Sequence, residues 1–252
     1  MNVFHAGQST PALRAGMRSD RGRSHERNED ACLADIERGL FVVADGVSGN
    51  PAGDVAAQFV VERLPGRLDA ALDGADADLD SAIQRAVVDL GDVVQAEARS
   101  APDLAGMATT VVILLVAGET AYVAHLGDSR AYLCRGGSLR RLTDDHSFAA
   151  ELAQSGVITT EEAQEHPFAH SITQAVGLPN SSAPAVQRLP LAAGDRLLLC
   201  SDGLTDVLVD ERIEAVLSEH TDPDATCEAL VAAAAGGRDD VTVVVVDWGA
   251  PA

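Results

Sequence analysis

The stretch Leu40-Phe41-Val42-Val43-Ala44-Asp45-Gly46 decides the fold more than any other part of the chain. Its first five residues form a continuous apolar run, the pattern of a short buried strand. The run stops at Asp45-Gly46, and a Gly-containing turn then leads into a helix predicted from about Gly53. The predicted strand therefore delivers a carboxylate to a turn.

The same arrangement occurs again near the end of the chain. A second predicted strand, Arg196 to Cys200, is followed directly by Ser201-Asp202-Gly203, and the acidic segments Asn28-Glu29-Asp30 and Arg238-Asp239-Asp240 also border apolar runs. A single Asp-Gly pair is usually a turn. Carboxylates gathered at the ends of buried strands, however, repel one another and lose hydration unless a cation compensates. The sequence therefore predicts a metal-dependent enzyme.

The residue types also suit one kind of metal site. Asp45, Asp202 and Asp239 are sufficient for a hydrolytic two-metal centre, which needs one bridging carboxylate and terminal carboxylates on each ion. The carbonyl of Gly46 is a further hard oxygen ligand, because no side chain obstructs the approach of an ion.

The remaining pattern favours an α+β fold of stacked antiparallel sheets covered by helices over a doubly wound parallel sheet, because strands and helices are grouped apart. A long amphipathic helix is predicted over residues 79–98, and short links join three strands that we expect to pair as an antiparallel meander. Besides Arg196 to Cys200, the predicted strands after this helix are 109–117, 120–126, 130–134 and 241–247, and the closing helices are 213–217 and 226–235.

Length and composition predict one domain over residues 1–252, with an N-terminal extension at 1–16 and an inserted flap at about 147–184. The net charge of −21 argues against nucleic acid and anionic membrane as partners. The four cysteines have no metal-binding spacing, and no segment has the pattern of a leader or a membrane span. We expect a soluble, cytoplasmic monomer with reduced thiols.

Six motifs, in the correct order, resemble those of bacterial serine/threonine phosphatases of the protein phosphatase 2C-like (PPM) family. They extend from about Ser19 to Val246. The motifs are Arg27-Asn28-Glu29-Asp30, Asp45-Gly46-Val47-Ser48-Gly49-Asn50-Pro51-Ala52-Gly53, Gly127-Asp128-Ser129-Arg130, Leu142-Thr143-Asp144-Asp145-His146-Ser147, Cys200-Ser201-Asp202-Gly203-Leu204 and Asp239-Asp240-Val241-Thr242-Val243. The resemblance implies a four-layer α-β-β-α sandwich with a binuclear manganese or magnesium centre in a cleft at one end.

The resemblance also implies roles for individual residues. Asp45 is similar to the carboxylate that bridges both metals, Gly46 to the carbonyl ligand, and Asp202 and Asp239 to terminal ligands. Glu29 and Asp30 resemble the acidic pair that holds metal-bound waters. Asp128 matches the position of a third, weaker metal, with a turn carboxylate as the alternative. Asp240 stands where the family usually has Asn, so we expect it to neighbour the ligands, and we expect His146 to be structural.

The implied reaction is hydrolysis of phosphoserine and phosphothreonine in proteins, in opposition to a bacterial serine/threonine kinase. A water that bridges two divalent ions is acidic enough to supply hydroxide near neutral pH, and the ions reduce its repulsion from the phosphoryl group. In-line attack then needs no covalent intermediate. Two alternatives remain open at this point: a phosphatase for small phosphate esters, and a phosphoprotein-binding pseudoenzyme.

The phosphate clamp departs from the family pattern. His25 occupies the position where the family commonly has an arginine, and Arg23 and Arg27 lie on either side. We expect His25 to bind phosphate when it is protonated, or Arg23 or Arg27 to take over that contact. A surface histidine without a role is the alternative. His166 and His170 lie in the flap, where contact with substrate is conceivable.

Overall fold

The computed structural model describes residues 13–24, 26–47, 52–72 and 78–249. In this part of the chain, ten strands form two antiparallel sheets of five strands each. The first sheet has the order β1-β10-β9-β6-β7 and the second the order β2-β3-β4-β5-β8. The strands are β1 (Leu13–Asp20), β2 (Asp30–Asp35), β3 (Leu40–Asp45), β4 (Val111–Ala117), β5 (Thr120–Leu126), β6 (Arg130–Arg135), β7 (Ser138–Arg141), β8 (Val186–Pro190), β9 (Asp195–Cys200) and β10 (Val241–Trp248).

Helices cover the outer face of each sheet. Two long helices pack on the second sheet and two shorter ones on the first, which gives four layers and confirms the predicted sandwich. The helices are α1 (Gly53–Leu72), α2 (Leu79–Ser100), α3 (Phe148–Gln154), α4 (Thr160–Gln164), α5 (Asp202–Thr205), α6 (Asp210–Glu219) and α7 (Pro223–Ala234), with one 3-10 turn at Pro102–Leu104. None of these helices combines the length and the apolar character that crossing a membrane requires.

Burial on both faces explains why the central strands are apolar without interruption. In β3, Leu40 and Val42 pack against α1 and α2, whereas Phe41 and Val43 point into the core between the sheets. The same division holds in β10, where alternate valines face α7 or the opposite sheet. Successive side chains of a strand point to opposite faces, so a strand between two apolar layers needs no polar alternation.

One predicted pairing is wrong. The strands β4 and β5 pair as expected, but β6 does not continue the meander, because it lies in the other sheet between β9 and β7. The link at residues 127–129 carries the chain across the sandwich. The sequence shows a short link but not the sheet to which the next strand belongs.

The predicted N-terminal extension is also too long. Residues 13–16 form the first half of β1, which pairs with β10 over its whole length. No apolar run marks β1, because its exposed positions carry polar side chains such as Arg18 at this edge of the sheet. The edge strands β7 and β8 were missed for the same reason.

Truncating a side chain in the core between the sheets is expected to destabilise the protein strongly. Leu114 is fully buried there, so Leu114→Ala leaves a cavity and should lower the free energy of unfolding by about 2–5 kcal/mol. Val88→Ala on the exposed face of α2 is the control, with an expected change below about 0.5 kcal/mol. Urea denaturation measures both, and equal losses in the two variants would contradict this assignment of the core.

Candidate metal centre

The predicted acidic residues come together at one end of the sandwich. Asp30 and Asp45 are paired neighbours on β2 and β3, so their Cα atoms face each other across the ladder. Asp202 begins α5 directly after β9, and Asp239 lies just before β10, the strand that pairs with β9. The strand ends thus bring carboxylates from four distant segments into one cluster, as the sequence predicts.

Glycines allow the backbone around this cluster to pack closely. A Cβ atom added at Gly46 would lie 2.5 Å from the carbonyl carbon of Gly53, and one added at Gly203 would lie 2.1 Å from the carbonyl oxygen of Asp240. A Cβ at Gly53 would lie 3.0 Å from Oε2 of Glu29. Gly46 and Gly203 therefore have no room for a side chain, and a side chain at Gly53 would require Glu29 and Gly46 to shift slightly.

Burial and mutual repulsion raise the pKa values of the carboxylates in the cluster. Burial raises the pKa of Asp45 well above its usual range, and the nearby carboxylates of Asp30 and Asp202 raise it further. Burial likewise raises the pKa of Asp30 and Asp128. Burial, followed by repulsion from Asp206 and Asp239, raises the pKa of Asp202 to about 7. Each shift reports that the ionised form is disfavoured in its present surroundings.

Two carboxylate oxygens of the cluster have no partner. Among the described residues, Oδ1 of Asp30 and Oδ1 of Asp202 are buried and accept no hydrogen bond. A buried acceptor without a donor is costly, and a hard divalent ion satisfies several such oxygens at once. The donor set therefore fits a cation of the magnesium or manganese type.

Neighbouring groups orient the cluster. The hydroxyl of Ser201 donates to Oδ2 of Asp30 at 2.8 Å and accepts from the backbone N–H of Thr242 at 2.9 Å. Both carboxylate oxygens of Asp240 accept from backbone N–H groups, Oδ1 from Gly22 at 2.8 Å and Oδ2 from Glu29 at 2.7 Å. Asp240 thus anchors the first acidic segment to the last one.

The flap contributes a residue to the cluster. Ligand atoms of Asp128, His170 and Asp202 all lie within 4.8 Å of one another, which is close enough to share one ion. Nδ1 of His170 also lies 3.6 Å from Oδ2 of Asp206. Asp206 was missed by the sequence analysis, although its spacing of four residues from Asp202 at the start of a helix is the signal for a shared face.

The comparisons with known proteins agree on one family. The family model for protein phosphatase 2C matches residues 20–234. The chain belongs to this family.

Two curated relatives and one solved structure illustrate this membership. The serine/threonine protein phosphatase PstP of Mycobacterium tuberculosis is 40% identical over 94% of this chain, which spans only 45% of that protein's length. The serine/threonine phosphatase stp of Listeria innocua is 32% identical, over 93% of this chain and 96% of its own. A crystal structure of the PstP catalytic domain in complex with two manganese ions has a TM-score of 0.78 at 38% identity, covering 93% of this chain and 97% of that one.

The structure describes only two of the three residues in the proposed phosphate clamp of this protein phosphatase 2C homologue. His25 lies outside the described residues. Nη1 of Arg27 lies 3.5 Å from Oδ2 of Asp54 in the first turn of α1, and its side chain is 83% exposed. Arg23 is exposed as well. A contact of these residues with phosphate stays a prediction.

The raised pKa values predict how the stability of the metal-free protein depends on pH. In the folded protein Asp202 has a pKa of about 7, whereas the free side chain has a pKa of 3.8. Between these two pH values the unfolded chain releases the proton more readily than the folded one. The contribution of Asp202 to stability therefore falls as the pH rises through this range. Asp202→Asn removes the ionisation. We expect the melting temperature of metal-free Asp202→Asn to exceed that of the wild type at pH 8 by about 2–4 °C, with a smaller difference at pH 5.

Asp89→Asn, an exposed substitution on α2, is the matched control and should leave the melting temperature unchanged at both pH values. Differential scanning calorimetry in the presence of chelator makes the measurement. A lower melting temperature for Asp202→Asn at pH 8 would show that its ionised carboxylate stabilises the metal-free fold.

Proposed function

We propose that this chain is one phosphatase domain that hydrolyses phosphoserine and phosphothreonine in proteins with the help of two divalent ions. The observation that carries the proposal is the carboxylate cluster, in which buried oxygens of Asp30 and Asp202 lack partners and the ionised forms are disfavoured. Membership of the protein phosphatase 2C family and the names of the relatives support the substrate class.

The proposed ligands are those that the resemblance to the protein phosphatase 2C family implies. Asp45 would bridge both ions with the Gly46 carbonyl as a further ligand, and Asp202 and Asp239 would be terminal ligands. The manganese complex of a 38% identical relative supports Mn²⁺, and an all-oxygen donor set suits Mg²⁺ equally. When bound, the two ions would acidify water and offset the negative charge of the phosphoryl group. Asp128, together with Asp202 and His170, would hold a third ion.

The protein's own residues would position the reactants. Ser201 donates to Oδ2 of Asp30, and the other oxygen of that carboxylate is buried without a donor, so it could accept from water. Glu29 lies beside Gly53, and the resemblance to the family gives it the same water-holding role as Asp30. Hydrolysis forms one bond between a water oxygen and phosphorus and breaks the bond to the serine or threonine oxygen, which leaves with a proton.

Thiol chemistry has no part in this proposal. Cys134, Cys200 and Cys227 are buried, and burial raises the pKa of Cys200 to about 12, so its thiol stays protonated at neutral pH. All four cysteines are free, and free thiols support a reducing compartment. The free thiols suit the cytoplasm, and we propose that the chain acts there as a monomer on phosphoproteins produced by a bacterial serine/threonine kinase, as the resemblance to the family implies.

Metal dependence and substrate class are tested together. We expect turnover of a phosphothreonine peptide with added Mn²⁺, loss of that turnover with excess chelator, recovery on addition of Mn²⁺, and no effect of thiol alkylation. A sugar phosphate at the same concentration should turn over much more slowly. Faster turnover of the sugar phosphate would favour a small-ester phosphatase. Binding of the peptide without turnover would favour a pseudoenzyme, and full activity in chelator would exclude the metal mechanism.

Replacing a proposed ligand should remove activity without unfolding the protein. Because bound metal contributes several kcal/mol to stabilising the transition state, Asp45→Asn or Asp239→Asn should lower kcat/KM for the peptide by at least about 100-fold. The exposed control Asp89→Asn should keep wild-type activity. Steady-state kinetics at saturating Mn²⁺, with circular dichroism to check the fold, gives the result. Near-normal activity of Asp45→Asn would remove it from the ligand set.

A further inference from the structure

Asp128 lies on a turn that has little regular structure to hold it. Residues 127–129 form the link between β5 in one sheet and β6 in the other. Gly127 has a φ of +107°, and a Cβ atom there would lie 2.5 Å from Cγ2 of Thr110. The direction of the Asp128 carboxylate therefore depends on contacts that other segments make with this turn.

One residue, His146, makes two of these contacts. The backbone N–H of Gly127 donates to Nδ1 of His146 at 3.2 Å, and the backbone N–H of His146 donates to the carbonyl of Gly127 at 3.0 Å. The carbonyl of His146 in turn accepts from the N–H of Thr173 at 2.9 Å. His146 thus joins the turn of Asp128 to the flap segment that follows His170.

A second histidine holds the imidazole in place. The rings of His125 and His146 are stacked, with centroids 4.4 Å apart and an interplanar angle of 9°. Nε2 of His125 lies 2.7 Å from the carbonyl of Asp144, and because a carbonyl only accepts, this nitrogen carries the proton. The stacking fixes the plane of His146 and so directs Nδ1 at the N–H of Gly127.

The imidazole of His146 is in the protonation state that lets Nδ1 accept a hydrogen bond. Nδ1 of His146 can accept only when it carries no proton, so the ring must be neutral with its hydrogen on Nε2. Burial, followed by the neighbouring His125, lowers the pKa of His146 to about 4. Burial also lowers the pKa of His125. Both rings are therefore neutral around pH 7.

The other side of the turn is fixed independently. The hydroxyl of Ser129 lies 2.7 Å from that of Thr110, so these two side chains share a hydrogen bond. Arg130 makes two hydrogen bonds to the carboxylate of Asp145, at 3.0 and 2.8 Å. The N-terminal side of Asp128 is thus the side that His146 controls.

We propose that His146 is a positioning residue whose Nδ1 fixes the Gly127-Asp128 turn and thereby directs the Asp128 carboxylate toward Asp202 and His170. The imidazole acts through its hydrogen bond to Gly127 and its stacking on His125. The effect of His146 on cation binding rests on the proposed function, in which Asp128 helps to hold the weakest of the ions. The effect of His146 on the turn is independent of the proposed function, because the hydrogen bond exists in the metal-free protein.

Two substitutions distinguish the role of Nδ1 as a hydrogen-bond acceptor from the packing of the His146 ring. His146→Asn places an amide oxygen near the position of Nδ1 and so keeps an acceptor for the Gly127 N–H, although it loses the stacked ring. His146→Leu fills part of the ring's volume but offers no acceptor. His220→Leu, at a partly exposed histidine between α6 and α7, is the control for loss of a histidine elsewhere.

The first measurement is amide hydrogen exchange of the Gly127 segment in metal-free protein. Loss of the hydrogen bond should speed exchange at least about fivefold in His146→Leu. His146→Asn and His220→Leu should stay close to the wild type. If His146→Leu does not fold, His146→Gln replaces it, because its amide oxygen lies one methylene farther out and cannot take the place of Nδ1.

The second measurement is calorimetric titration with Mn²⁺ alone. We expect His146→Leu to weaken the weakest Mn²⁺ site by about 10-fold or more, as loss of a supporting contact does at metal sites, and to leave the tighter sites unchanged. His146→Asn should restore the weak site. A role in packing alone would not produce this difference between the two variants.

Each result decides a separate question. Wild-type exchange and wild-type Mn²⁺ binding in His146→Leu would overturn the proposal, as would equal defects in His146→Leu and His146→Asn. If the wild type binds only two ions, the third ion of the proposed function fails. The exchange comparison still decides the role of His146 in that case.

Discussion

The rest of the structure depends on one constraint: carboxylates that repel one another must be held together at one end of the sandwich. Asp30, Asp45 and Asp202 have raised pKa values because burial and mutual repulsion both disfavour their ionised forms. A flexible segment would relieve this strain by moving apart. Here the carboxylates lie at the ends of strands whose two faces are both buried, so the backbone cannot move without exposing apolar side chains. The core between the sheets thus maintains a charge arrangement that either protonation or a bound cation would relieve.

Hydrogen bonding distinguishes acids that support the site from acids that are suited to hold ions. Asp240 directs both of its oxygens to backbone N–H groups and ties the segment before β2 to the segment before β10. Asp30 and Asp202 each keep a buried oxygen without a donor. All three are acidic residues next to strands, and the sequence sets Asp240 apart only because the family usually has Asn at its position. Only the donors around each carboxylate show that Asp240 is satisfied by the protein itself.

The link between β5 and β6 connects the fold to the flap. It carries the chain from one sheet to the other and places Asp128 near Asp202, while His146 joins it to the segment after His170. The sequence predicts that 130–134 is the third strand of a meander and that His146 is a structural residue. The first interpretation is wrong because a short link does not specify a sheet. The second is refined, because the partner of Nδ1 is a backbone N–H nineteen positions away.

The sequence by itself determined the central strands, the long helices and the acidic residues that gather at one end of the sandwich. Apolar runs that end on Asp45 and Asp202 depend on local chemistry, and the order of the motifs identified the family. The tertiary structure decided which edge strands complete each sheet, which carboxylate oxygens lack a donor, and that His170 and Asp206 approach the centre from the flap and from α5. These features depend on contacts between segments far apart in the chain, and such contacts leave no periodic pattern in the residues that make them.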